Sequence, residues 1–262
     1  MGFRYVSKDY RDRTVIEVGD TLFGEGFVFI AGPCSVESVE QLMTIVDYLR
    51  GVGVDVVRGG AFKPRTSPYS FQGLGVEGLR ILKSVSERYG VPVVSEALDI
   101  VQARLVAEYV DIIQVGARNM YNYPLLREVG RIGKPVLLKR HFSATLEEFL
   151  YAAEYIMREG NESVILCERG IRTFTRHTRF TLDIAAVPSL KMRTHLPIIV
   201  DPSHPAGNRD LVIPLAKAAA CVGSDGLMVE VHNDPDNALS DGAQSISLEM
   251  YSVLVEEVRR CL

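Results

Sequence analysis

Eight short apolar runs punctuate the chain, and longer stretches with apolar residues at helical spacing lie between them. The runs are FVFIAGP, VDVVRGG, VPVVSEA, DIIQVGA, PVLLKR, SVILCERG, PIIVDPS and GLMVEVH. Among the intervening stretches, SVESVEQLMTIVDYLRGVG, GLRILKSVSERYG and LEEFLYAAEYIMREG carry the 3.6-residue period of amphipathic helices. Ser35, Ser38 and Glu40 mark one helix start, and Gly90 and Gly160 stand where helices should end. Strands that alternate with helices imply parallel pairing through right-handed crossovers. Eight such units in 262 residues close most simply into a (β/α)8 TIM barrel. An open doubly wound sheet is the competitor, but no GxGxxG follows the first run. The chain therefore reads as a single barrel domain over residues 1–262, with residues 1–26 as an N-terminal extension or hairpin.

The bulk properties narrow the function without naming it. A net charge of −4 argues against a general nucleic-acid binder. No apolar run reaches the roughly 20 residues that span a bilayer, and the charged N-terminus lacks a secretory signal, so no membrane partner is expected. Met1-Gly2 is followed by Arg4 and Tyr5, a poor match to a myristoylation signal. Four cysteines without a CxxC or regular spacing suggest no disulfide framework, and a cytoplasmic location is the default. Cys167 and Cys221, in apolar stretches, read as core residues.

A barrel collects its chemistry at the C-terminal ends of its strands. Those ends carry Cys34, Arg58 to Arg65, Glu96, Arg118, Lys139, Arg169 with Arg172, His204, and Glu230 to Asp241. Closure makes the first strand a neighbour of the eighth, and the eighth of the seventh, which gathers Cys34, His204 and Glu230. The loop after Glu230 is long enough to bring Asp241 back over them. Sulfur, imidazole and two carboxylates form a reasonable site for a divalent cation, with Mn2+, Fe2+, Co2+ and Zn2+ all open. A lone Cys or His is more often a plain buried or hydrogen-bonded residue; the joint placement carries the reading.

The other half of the mouth is cationic: Arg58, Lys63, Arg65, Arg118, Lys139 and Arg169. Too few acids flank them in sequence to pair all six, so anionic ligands are expected to offset their repulsion. Strand alternation lets only one of Lys139 and Arg140 face inward, and Leu137 shares the parity of Lys139. A cation site beside an anion cluster of this size suits small phosphorylated metabolites.

The motifs AGPCS, VVRGGAFKPRTS, VGARNM, LLKR, ERGIRT, DPSHPAG and MVEVHNDPDNALSDGAQS closely resemble 3-deoxy-D-arabino-heptulosonate 7-phosphate (DAHP) synthase. The resemblance is to the short subclass related to 3-deoxy-manno-octulosonate 8-phosphate (KDO8P) synthase. It implies condensation of phosphoenolpyruvate with erythrose 4-phosphate, release of phosphate and a divalent metal requirement, at the first step of the shikimate pathway toward aromatic amino acids. The KDO8P enzymes, which use arabinose 5-phosphate, are the alternative; they carry a Lys-Ala-Asn-Arg-Ser type loop where this chain has Lys63-Pro64-Arg65-Thr66-Ser67. Pro64, by fixing φ, is expected to shorten and stiffen the aldose pocket.

By resemblance, Arg58, Arg118, Lys139 and Arg169 bind phosphoenolpyruvate, Arg65 and Thr66 bind the phosphate of erythrose 4-phosphate, and Lys63 lies between. Cys34, His204, Glu230 and Asp241 hold the metal. Lys63, crowded by Arg58 and Arg65, is expected to have a lowered pKa and to donate a proton to the growing alkoxide. Glu96 or His204 manages the proton of the attacking water. The resemblance further implies a homotetramer. With only about 26 residues ahead of the barrel, insensitivity to aromatic amino acids is expected.

Overall fold

The computed structural model describes residues 2–65 and 67–262. A short antiparallel hairpin comes first, β1 (Ile16–Val18) and β2 (Thr21–Phe23), turning at Gly19 with φ +56°. Eight parallel strands then close on themselves: β3 (Val28–Gly32), β4 (Val56–Arg58), β5 (Val93–Ala97), β6 (Ile112–Val115), β7 (Val136–Lys139), β8 (Val164–Glu168), β9 (Ile198–Val200) and β10 (Gly226–Glu230). The last strand pairs with both β9 and β3, so the barrel has no edge. This is the (β/α)8 TIM barrel that the alternation of runs predicts.

Helices α1 (Val39–Val52), α2 (Val76–Tyr89), α3 (Ile100–Ala107), α4 (Tyr123–Ile132), α5 (Leu146–Met157), α6 (Ala186–Lys191), α7 (Ser203–Ala206), α8 (Val212–Cys221) and α9 (Leu248–Arg259) complete the units. Their ends follow local chemistry. The Ser38 hydroxyl accepts from the Gln41 amide at the start of α1, Thr145 and Glu148 form a reciprocal capping box on α5, and Gly90 ends α2 in the left-handed conformation. Cys167 is buried as expected. Cys221 is exposed at the end of α8, because its helical position faces away from the barrel despite its apolar neighbours. Among the described residues no helix is long and apolar enough to cross a membrane.

Strand alternation builds two apolar layers. Residues of one parity, such as Phe29, Val57, Val93, Ile113 and Leu138, pack outward against the helices. Those of the other parity, Val28, Ile30, Val56, Val94, Ile112, Leu137, Ile165, Cys167, Ile199 and Met228, fill the barrel interior. Ile16, Val18 and Phe23 of the hairpin join this inner cluster. Thr21 donates to the Asp55 carbonyl just ahead of β4, and Gly19 lies against Pro92 just ahead of β5, so the hairpin plugs the N-terminal end of the barrel. The C-terminal end stays open.

Candidate active site

On seven of the eight barrel strands the next inward-facing position, two residues beyond the apolar layer, is polar; on β3 it is Gly32. Val56 is followed by Arg58, Val94 by Glu96, Ile112 by Gln114, Leu137 by Lys139, Cys167 by Arg169, Ile199 by Asp201 and Met228 by Glu230. Parity thus forces a charged layer directly on top of a dry one. A cavity of about 340 Å³ opens above it, lined by all six cations of the sequence reading together with Glu96, His204 and Asp241. Lys139 faces this cavity, whereas Arg140 turns outward into a buried cluster with Glu168 and Asp183, 2.8 Å from each. Thr66 lies outside the described residues.

At the seam between β3 and β10, one donor atom each of Cys34, Glu230 and Asp241 lies within 4.8 Å of the others. The Cys34 thiol donates to Asp241 Oδ2 at 3.2 Å, and His204 Nε2 stands 3.7 Å from Glu230 Oε1. The other ring nitrogen of His204 is 2.6 Å from Asp201 Oδ2, although not aligned as a regular hydrogen bond. Asp241 is the one non-glycine residue with positive φ (48°) among those described, a conformation that aims its carboxylate back at Cys34. The thiol and two carboxylates, with the His204 imidazole beside Glu230 but outside that 4.8 Å group, are donors that suit a borderline-soft divalent cation. Burial, aided by Glu230, pushes the Cys34 thiol up to about 12, and a bound cation would displace its proton.

Lys63 sits against this cluster. Its ammonium donates to both the carbonyl and the sulfur of Cys34, each at 3.0 Å. Gly60 makes room for the reach, since a Cβ there would meet the Cys34 carbonyl at 2.6 Å and Lys63 Cδ at 2.8 Å. The lowered pKa expected of Lys63 is not found: burial pushes it down, but Cys34 and Glu230 outweigh that and carry it above the ordinary value. The groups that do this come from the turn after β3 and from the end of β10, distant in sequence from the cations that seemed to crowd it.

The same lesson applies to the other cations. Arg58 donates to Glu230 at 2.9 Å, Lys139 pairs with Asp201, and Arg65 approaches Asp241 at 3.9 Å. Among the described residues, half of the six therefore have carboxylate partners, and those acids come from segments distant in sequence. Burial opposes the charges of Asp201 and Glu230, yet His204 with Lys139, and His204 with Arg58, hold both carboxylates below the usual range. Arg118 donates to the Pro64 carbonyl at 3.5 Å. Arg169 is the exception that matters: buried, its Nε and Nη1 have no hydrogen-bond partner among the described residues, and its guanidinium stacks on Phe180 at 4.3 Å. Burial and the nearby Arg179 lower its pKa, as befits a cation waiting for an anion. Glu96 accepts from Gln114 Nε2 at 3.1 Å and fills the space over Gly116, where a Cβ would come within 1.9 Å of its oxygen.

The DAHP synthetase I family profile matches residues 13–261. The chain belongs to the DAHP synthetase I family. It is 55% identical over 260 residues to the phospho-2-dehydro-3-deoxyheptonate aldolase of Thermotoga maritima, covering 98% of this chain and 77% of that one. A crystal structure of the Thermotoga DAHP synthase superposes with a TM-score of 0.95 at 54% identity, covering 98% of this chain and 76% of that one. A truncated form of the Thermotoga enzyme gives 0.91 at 52% identity, covering 97% and 94%. The 2-dehydro-3-deoxyphosphooctonate aldolase of Geobacter sulfurreducens is 34% identical over 267 residues, covering 93% and 96%.

Several polar residues of this DAHP synthetase I site were missed by reading strand ends alone: Asp201, Gln114, Arg179 and Gln244. Asp201 and Gln114 did carry a signal, each being the polar residue at inward parity in an apolar run. Arg179 and Gln244 carried none, because they lie in long loops and acquire their places only through contacts.

Proposed function

We propose that this protein condenses phosphoenolpyruvate with erythrose 4-phosphate to DAHP and inorganic phosphate, the entry to aromatic biosynthesis. The observation that carries the reading is the buried, unpartnered Arg169 in a cavity that also holds Arg118 and Lys139, above a mixed sulfur, nitrogen and oxygen donor cluster. The higher identity to the heptonate relative than to the octonate one favours the four-carbon aldose over arabinose 5-phosphate.

Arg169 offers two free donor nitrogens, Nε and Nη1, to the oxygens of a phosphate or carboxylate. Lys139, Arg118 and Arg58 surround the same volume and fix the remaining charge of phosphoenolpyruvate. Arg65, at the opposite rim, takes the aldose phosphate, with Pro64 stiffening that wall. Cys34, His204, Glu230 and Asp241 would hold a divalent cation, which supplies Lewis-acid polarisation of the aldehyde oxygen. With both substrates so oriented, C3 of phosphoenolpyruvate attacks the aldehyde carbon. Lys63, protonated and adjoining the cation site, donates to the oxygen that gains charge. Both nitrogens of His204 face acids, which leaves Glu96 to take the proton of the water that attacks C2. Collapse of the resulting phosphohemiketal expels phosphate.

Phosphate release measured with phosphoenolpyruvate and four-, five- or six-carbon aldose phosphates tests this directly. Turnover is expected with erythrose 4-phosphate and to vanish with chelator. A preference for arabinose 5-phosphate would transfer the protein to octulosonate synthesis, and chelator-insensitive turnover would remove the metal from the reading.

A further inference from the structure

Asp241 and Glu230 belong to different segments, yet one side chain joins them. Arg179 Nη1 stands 3.6 Å from Asp241 Oδ1 and donates at 2.8 Å to Gln244 Oε1. Gln244 is buried, and its amide nitrogen donates to Glu230 Oε2 at 2.6 Å. The amide therefore has one end fixed by the guanidinium and the other by the carboxylate, so its orientation is set by both partners. Glu230 Oε1 is meanwhile held by Arg58, which leaves the carboxylate constrained at both oxygens. Asp241 is likewise constrained at both, by the Cys34 thiol on Oδ2 and by Arg179 with Arg65 on Oδ1. Its left-handed backbone conformation is unfavourable for a non-glycine residue and persists only where surroundings enforce it.

We propose that Arg179 and Gln244 are positioning residues that set the two carboxylates, Asp241 and Glu230, in the geometry that receives the divalent cation. The proposal rests on the metal reading of the Cys34 cluster given above. Arg179 comes from the loop between β8 and α6, so the same loop that places Phe180 under Arg169 also fixes the cation site. Partners of this kind orient ligands without touching the metal, and their loss weakens binding by roughly tenfold to hundredfold.

The test measures Mn2+ binding to metal-free protein by titration calorimetry, together with steady-state kinetics at saturating Mn2+. Arg179→Gln and Gln244→Met should each weaken Mn2+ binding roughly tenfold to hundredfold. The double variant should be little worse than the weaker single, because both act through one chain of contacts. Arg179→Lys, which keeps the charge near Asp241, should recover part of the affinity, and saturating Mn2+ should restore most of kcat. Mn2+ affinity unchanged in Arg179→Gln, with KM for either substrate raised instead, would overturn the proposal and make Arg179 a substrate contact. Arg179 is part-exposed at 39%, so its replacement tests the idea even if the buried Gln244→Met fails to fold. Failure of the wild-type protein to bind Mn2+ at all would instead overturn the metal reading on which the proposal stands.

Discussion

The two ends of the barrel interior are built from the same strands, two residues apart, and obey opposite rules. At the N-terminal end Ile16, Val18 and Phe23 of the hairpin join Val56, Ile112, Leu137 and their neighbours in one apolar cluster. At the C-terminal end Arg58, Lys139, Asp201 and Glu230 are equally buried, at 5% exposure or less, and every one is charged. The lower layer is stabilised by removal of apolar surface from water, which is insensitive to pH and to partners. The upper layer holds only because each carboxylate faces a cation, and such pairs add little net stability beyond offsetting their own desolvation. Arg169 is the cation left over, and that imbalance is what a bound anion resolves. The lower end is therefore where stability resides, and the upper end where stability is given up for binding.

Truncation at each end separates the two roles. Phe23→Ala removes a fully buried ring from the plug and should lower unfolding free energy by about 3–5 kcal/mol in urea titrations, with kcat of the remaining folded protein nearly unchanged. A comparable loss of kcat without loss of stability would mean that the plug shapes the mouth. Arg169→Gln should do the reverse. Transition-state stabilisation should fall by about 3–4 kcal/mol, read as a drop of roughly 10²–10³ in kcat/KM, while the urea midpoint stays level or rises. A falling midpoint would show that Arg169 has a structural partner.

The smallest effect is the pH response. Glu230 and Asp201 are held below their unfolded values, so their stabilisation of metal-free protein is complete above roughly pH 4 and declines as pH falls toward the folded values. Urea midpoints of Phe23→Ala should decline with acid in parallel with the wild type, because the plug titrates nothing. Asp201→Asn, with one such carboxylate gone, should flatten the decline. An unaltered acid slope in Asp201→Asn would place the sensitivity elsewhere.

Much of this was legible in the chain. The apolar runs fixed strand number and order, since a parallel strand buried on both faces must be nearly continuous in apolar residues. Barrel closure then brought Cys34 and Glu230 together, although they stand near opposite ends of the sequence, while His204 reaches the group only beside Glu230. Parity assigned Lys139 and not Arg140 to the cavity. The error over Lys63 had a definite origin. Its flanking arginines are visible in sequence, whereas Cys34 and Glu230, which dominate its field, reach it only across two strand pairings.

Periodicity is a local property, and it determined by itself the strands, their inward faces and the strand ends where charge accumulates. Which acid meets which cation was decided only when the barrel closed: Arg58 with Glu230, Lys139 with Asp201, and Arg179 with Asp241. Electrostatic energy depends on distances of a few ångströms between side chains from separate elements, and no spacing along a single chain encodes those distances.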